Sequence, residues 1–167
     1  MTLADVSLDA LSVAKENTAL NKLTGRVRCV QVDARKPVSA FLGKFDLIVS
    51  NPPYISARDM EELPPSVRDY EPHLALYGAA LDTSVKDFEP LLALDGGEDG
   101  LDFYRDIAAN FRSALKPGGF LCFEFGDGQA DDVCGILEEN GYTILERTRD
   151  YNDRERSVLA RYGRKED

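Results

Sequence analysis

Apolar residues along the chain fall into two spacings, and each change of spacing marks a boundary. Phe45 to Ser50 (Phe-Asp-Leu-Ile-Val-Ser) is a nearly continuous apolar run, as expected of a strand covered on both faces. Thr2 to Val6 reads as the tail of another buried strand, and Val27 to Val32 as a short one ending at Asp33. Between these two, Ser7 can cap a helix, with Asp9 in the first turn where the dipole favours a negative charge. That helix runs to about Asn21 and places Leu11, Ala14 and Thr18 on one face. The helical period returns at Leu101, Tyr104, Ala108, Phe111 and Leu115. Lys116-Pro117-Gly118-Gly119 ends it and turns into a strand over Phe120 to Glu124. Gln129 to Asn140 is a helix closed by Gly141. Tyr142 to Arg149 and Ser157 to Tyr162 flank a polar turn and predict a hairpin. Strands alternating with helices and ending in an antiparallel pair predict an α/β sandwich on a mostly parallel sheet.

One segment breaks this rhythm. Ser66 to Leu76 is echoed by Ser84 to Leu94, with Arg68 becoming Lys86, Tyr70 becoming Phe88 and His73 becoming Leu91. Two copies do not make a solenoid, so a duplication within a loop is the expected account, at about 66–94.

Composition narrows the function classes. The 167 residues, 43% of them hydrophobic, suffice for one domain with a real core. A net charge of −10 gives no general attraction to nucleic-acid phosphates or anionic lipid. It suits a chain kept in solution by its charge, or one with a basic protein partner. Cys29, Cys122 and Cys134 are far apart and form no C-x-x-C pair, so they read as small apolar residues in a reducing compartment. His73 is the single histidine, which argues against a histidine-rich metal centre or a Ser-His-Asp triad. With neither a signal peptide nor an apolar run near the roughly 20 residues of a membrane span, the expectation is a cytoplasmic protein that does not enter the membrane.

The chemistry concentrates at Asn51-Pro52-Pro53-Tyr54, which cuts off the Phe45 strand at its carboxyl end, where ligands bind in open α/β sheets. An amide or exocyclic amine nitrogen is a poor nucleophile because its lone pair is delocalised. Two acceptors aimed at its N–H bonds orient it and keep electron density on nitrogen. Asn51 offers a side-chain oxygen and Pro52 a backbone carbonyl. The proline rings fix the torsions that hold this carbonyl in place. Tyr54 offers a flat face for a planar group, near enough to steady a cationic methyl donor. Such a site transfers a methyl group by positioning and needs no tuned general base.

The sequence resembles the release-factor glutamine N5-methyltransferase family of class I methyltransferases. The resemblance is carried by Ala4-Asp5-Val6-Ser7 with Ala14-Lys15-Glu16-Asn17, Asp33, Phe45 to Ile55, and Tyr70-Glu71-Pro72 or its copy. It continues in Asp95 to Leu101, Lys116 to Gly119, and Arg149-Asp150-Tyr151 with Arg156. It implies a Rossmann-like sandwich, S-adenosyl-L-methionine as cofactor, and the glutamine of the Gly-Gly-Gln loop in class 1 peptide release factors as substrate. It also implies roles: Asp5 for the ribose hydroxyls of the cofactor, Asp33 and Ala34 beside the adenine, and Asn51 at both cofactor and substrate. Pro52, Pro53 and Tyr54 would face the substrate amide, and Glu124 would stand behind the site at the next strand end.

The family also begins its catalytic domain with a strand and a glycine-rich turn that approaches the cofactor at a helix N-terminus. Neither Gly96-Gly97 nor Gly118-Gly119 opens a helix after a strand in that way. The small helical domain that precedes the catalytic domain in the family has no counterpart either. The expectation is therefore a partial, N-terminally truncated catalytic domain over 1–167, binding cofactor weakly and methylating weakly or not at all. In the family's strand order the first strand lies between the Asp5 strand and the Phe45 strand, so both should show an unpaired edge. Two other readings share these residues. A nucleic-acid amino-methyltransferase acting on adenine, cytosine or guanine would want a basic face, which the net charge opposes. A catalytically inactive fragment that binds release factors would lack cofactor affinity.

Overall fold

The structure, a computed structural model, describes residues 1–54 and 99–163. The duplicated segment at 66–94 lies outside the described residues, as do Ile55, Tyr70-Glu71-Pro72, His73 and Asp95 to Glu98. Strand β1 (Thr2–Asp5) is followed by helix α1 (Leu8–Leu20), strand β2 (Arg28–Gln31) and strand β3 (Phe45–Ser50). Helix α2 (Asp102–Phe111), strand β4 (Leu115–Glu124), helix α3 (Ala130–Glu139) and strands β5 (Tyr142–Arg149) and β6 (Glu155–Tyr162) complete the order.

The strands form two sheets rather than one. β1 and β2 pair in parallel, and β3-β4-β6-β5 form a mixed sheet, parallel between β3 and β4 and antiparallel beyond. No ladder joins β1 to β3, and each has one edge without a strand partner among the described residues. Described contacts between the two parts come from β2 and the segment after it, with Val30, Val32 and Ala34 packed against the core. Arg35 Nε meets Asp106 of α2 at 2.9 Å and its guanidinium lies over the Phe103 ring, while the Asn110 side-chain amide donates to the Arg35 carbonyl at 3.1 Å. Arg28 also donates to the Leu42 carbonyl.

The core lies between the larger sheet and helices α2 and α3. Leu121, Phe123, Val158 and Ala160 point to this face and pack with Tyr104, Ile107, Val133 and Leu137. Tyr104 meets Phe123 edge to face at 5.2 Å, and Tyr142 donates from its hydroxyl to the Ala108 carbonyl at 3.2 Å. These aromatic anchors fix α2 on the sheet.

Several boundaries differ from the sequence expectation. β3 is not covered on both faces: Leu47 and Val49 are 50% and 68% exposed. They share that face with Phe120, Cys122 and Leu159 through the register of β3, β4 and β6. β1 is likewise not buried, since Ala4 and Asp5 are exposed. Lys116-Pro117-Gly118-Gly119 does not stand outside β4 but bulges within it, between the Phe45–Leu115 and Leu47–Phe120 pairs. α1 starts as expected, with the Ser7 hydroxyl accepting from Ala10 N–H at 3.2 Å and Leu11 and Thr18 buried. The hairpin forms from β5 and β6 as expected. Cys134 is buried, and Cys29 and Cys122 are half-buried, all three free.

Candidate active site

Each residue expected to act stands at or just beyond the carboxyl end of its own strand. Asp5 ends β1 and accepts the Ser7 N–H at 2.8 Å through one oxygen, and its second oxygen has no partner among the described residues. Asp33 follows β2. Its carboxylate accepts from Arg35 N–H at 3.0 Å and pairs with Lys36 at 3.0 Å, so both oxygens already serve the turn. Ala34 packs against the core. Asn51 follows β3 and is exposed, with no hydrogen bond among the described residues. No hydrogen bond or ion pair ties Asp5, Asp33 and Asn51 to one another. Among the described residues no group of three His, Cys, Asp or Glu side chains could hold a metal.

The loop after β3 is built more firmly than its composition alone demands. Ser50 sits in register with Phe123 of β4, which fixes where the loop leaves the sheet. No peptide bond in the described chain is cis, so Pro52 and Pro53 extend the backbone in trans. Pro52 is buried, while Pro53 and Tyr54 are half-buried. Tyr54 is boxed in by glycines. A methyl group placed on Gly126 would lie 2.8 Å from Tyr54 Cδ2, and one on Gly100 would lie 2.5 Å from the Tyr54 carbonyl oxygen. Gly100 also has a φ of 74°, the left-handed region that glycine adopts without steric cost.

Supports behind this box explain its geometry. Asp99 accepts from Leu101 N–H at 3.1 Å and from both terminal nitrogens of Arg105, at 3.1 and 2.6 Å. The Arg105 guanidinium holds the Asp99 carboxyl below its usual range. Tyr104, fully buried, donates to the Glu124 carbonyl at 3.0 Å. Burial, with smaller contributions from Tyr54 and Glu124, pushes its hydroxyl well above the ordinary tyrosine range, so it stays a donor. The Glu124 side chain is exposed at the end of β4.

Thus the structure gathers Tyr54, Gly100, Tyr104, Gly126 and Gln129 at one strand end. Only Tyr54 of these was legible as a site residue. Gly100 and Gly126 act sterically, and Tyr104 and Gln129 act through hydrogen bonds to backbone carbonyls and amides; these relations appear only once β4, α2 and the loop are placed together. Two open clefts lie elsewhere. One, of about 370 Å³, is bordered by Lys44, Arg112, Leu115 and Tyr162 at the opposite end of β3 and β4. The other, of about 340 Å³, includes Asp33, Lys36 and Phe41.

Comparisons with known proteins bear on the family and the fold. The family model described as "Methyltransferase small domain" matches residues 1–63. A release factor glutamine methyltransferase of Clostridium acetobutylicum is 40% identical over 158 residues, which is 94% of this chain and 49% of that protein. A methyltransferase structure from Pyrococcus furiosus superposes with a TM-score of 0.62 at 18% identity, over 98% of this chain and 62% of that one. The N-methyltransferase NodS from Bradyrhizobium japonicum, solved with S-adenosyl-L-homocysteine, superposes with a TM-score of 0.55 at 18% identity, over 98% and 66%. These likenesses make the fold that of the class I methyltransferases.

Proposed function

From a chain that belongs to the family of the release factor glutamine methyltransferases, and spans about half the length of the curated relatives it matches, we propose a catalytic part in methyl transfer to an amide nitrogen. The methyl group leaves the sulfonium of S-adenosyl-L-methionine and bonds to the side-chain nitrogen of a glutamine in a class 1 release factor. The sulfur keeps the bonding electron pair as a thioether, and the alkylated amide gives up a proton to water.

One observation carries the reading: an exposed, uncommitted Asn51 side chain at the carboxyl end of β3, on a loop whose next residues are two prolines and a braced tyrosine. Asn51 and the Pro52 carbonyl would accept the two N–H bonds of the substrate amide. Pro53 and Tyr54 would line its planar face. Asp5 would take the ribose hydroxyls, and Asp33 with Ala34 the adenine side. The contacts of Asp33 with Arg35 N–H and Lys36 would hold the turn in place and leave its carboxylate further acceptor capacity. The net charge of −10 favours a protein substrate over a nucleic acid.

The test is transfer of labelled methyl from S-adenosyl-L-methionine to a release factor carrying Gly-Gly-Gln, against the same factor with that glutamine changed to alanine. Label that appears only in the first supports the reading; label on an oligonucleotide instead sinks it. Asn51→Ala should lower turnover by at least about 100-fold, the scale of removing one placed polar group. A titration calorimeter separates the catalytic reading from the binding-module one, since the latter binds release factor without taking up S-adenosyl-L-methionine.

A further inference from the structure

We propose that Gln129 is a positioning residue for the loop Asn51 to Tyr54, tying its far end to the exit of β4 through both polar atoms of one carboxamide. The proposal rests on the reading of that loop as the holder of the substrate amide. Gln129 stands immediately before α3, where a side chain ordinarily turns onto a free N–H of the helix. It makes no such cap. Instead its Oε1 accepts from Gly126 N–H at 2.9 Å and its Nε2 donates to the Tyr54 carbonyl at 3.0 Å. One partner is a backbone donor and the other a backbone acceptor, so a single orientation of the carboxamide satisfies both. The Gln129 backbone is itself held, donating to the Gly126 carbonyl at 3.3 Å and accepting from Val133 N–H at 3.0 Å.

The consequence lies in how little chain separates two anchors. The Ser50–Phe123 pair closes one end of the loop and Gln129 closes the other at Tyr54. Asn51, Pro52 and Pro53 are all that lie between, and the two proline rings remove two of their backbone freedoms. The acceptors assigned to the substrate amide, on Asn51 and Pro52, therefore sit on a span fixed at both ends. A shift at Tyr54 reaches Pro52 with no slack to absorb it.

Gln129→Glu and Gln129→Ala test this in the 167-residue chain at neutral pH. Glutamate keeps an acceptor for Gly126 but offers no proton to the Tyr54 carbonyl; alanine loses both bonds. In both variants we expect kcat for methyl transfer to the release factor to fall about 10- to 100-fold, the scale of a misplaced reacting group. KM for S-adenosyl-L-methionine should change less than kcat, because Asp5, Asp33 and Ala34, which are assigned to the cofactor, lie outside the span that Gln129 anchors. A role confined to stability would lower the melting temperature and leave kcat of the folded enzyme unchanged, which overturns the proposal. The NMR signals of the Tyr54 ring and the Gly126 amide supply a readout independent of turnover. The Tyr54 ring should shift in both variants, and Gly126 N–H exchange should accelerate in Gln129→Ala alone. Unchanged Tyr54 signals in both variants overturn the proposal. Where the wild-type chain transfers no methyl group, as expected of a partial catalytic domain, the NMR signals decide the positioning role by themselves.

Discussion

Gly100 and Gly118 share a φ of 74° but differ in what surrounds them. An added methyl at Gly118 meets nothing within 4 Å, whereas at Gly100 it would stand 2.5 Å from the Tyr54 carbonyl oxygen and 3.3 Å from Gln129 Nε2. Gly118→Ala should therefore cost only the left-handed backbone penalty of about 1–2 kcal/mol. Gly100→Ala should cost more, because its methyl must also displace the loop. Paired denaturant melts measure the difference, and equal losses would show that Tyr54 yields without resistance. The same pair explains why the sequence reveals Asn51 and conceals Gly100. A side chain with an acceptor announces its chemistry, while a glycine does not say whether a close neighbour or only the backbone conformation calls for it.

At the level of elements, the β5–β6 hairpin depends on one carboxylate. Asp150 accepts from Asn152 N–H at 2.8 Å and Arg154 N–H at 3.1 Å, and meets Arg156 Nε at 3.2 Å. The Arg154 N–H bond, followed by those from Asn152 and Arg156, holds its carboxyl below the usual value of 3.8. A carboxyl lowered by folding lends its stability above the unfolded value and loses it as the pH falls through the folded one. Wild type should thus melt higher than Asp150→Asn near neutrality, and the gap should close below about pH 4. A gap that persists into acid would assign the turn's stability to its backbone alone. The hairpin, α1 and α3 were all legible, because capping residues and regular apolar spacing are local signals. The exposed face of β3 was not. An apolar run states what a strand is ready to bury, and only the neighbouring elements determine how much of it is buried. The bulge at Lys116 to Gly119 escaped for a related reason: proline and glycine doublets mark irregular backbone without saying whether the ladder resumes beyond it.

For the molecule as a whole, the edge of β3 without a partner among the described residues and the apolar face beside it set its behaviour in solution. Exposed strand edges flanked by apolar side chains template pairing with other chains. The wild-type chain should sediment as more than a monomer, and Val49→Lys should restore the monomer without a lower melting temperature, since Val49 is 68% exposed. A monomeric wild type would show that β3 needs no cover. The division of the strands between two sheets bears on a different property, the unit in which the protein opens. Among the described residues, β1, α1 and β2 are joined to the rest by the bonds of Arg28 and Arg35 and by Val30, Val32 and Ala34 packed against the core, and by no shared ladder. They can come apart without breaking one hydrogen bond of the larger sheet, and so form a cooperative unit with an opening energy of its own. The acids assigned to the cofactor and the loop assigned to the amide then belong to parts that need not be ordered at the same time.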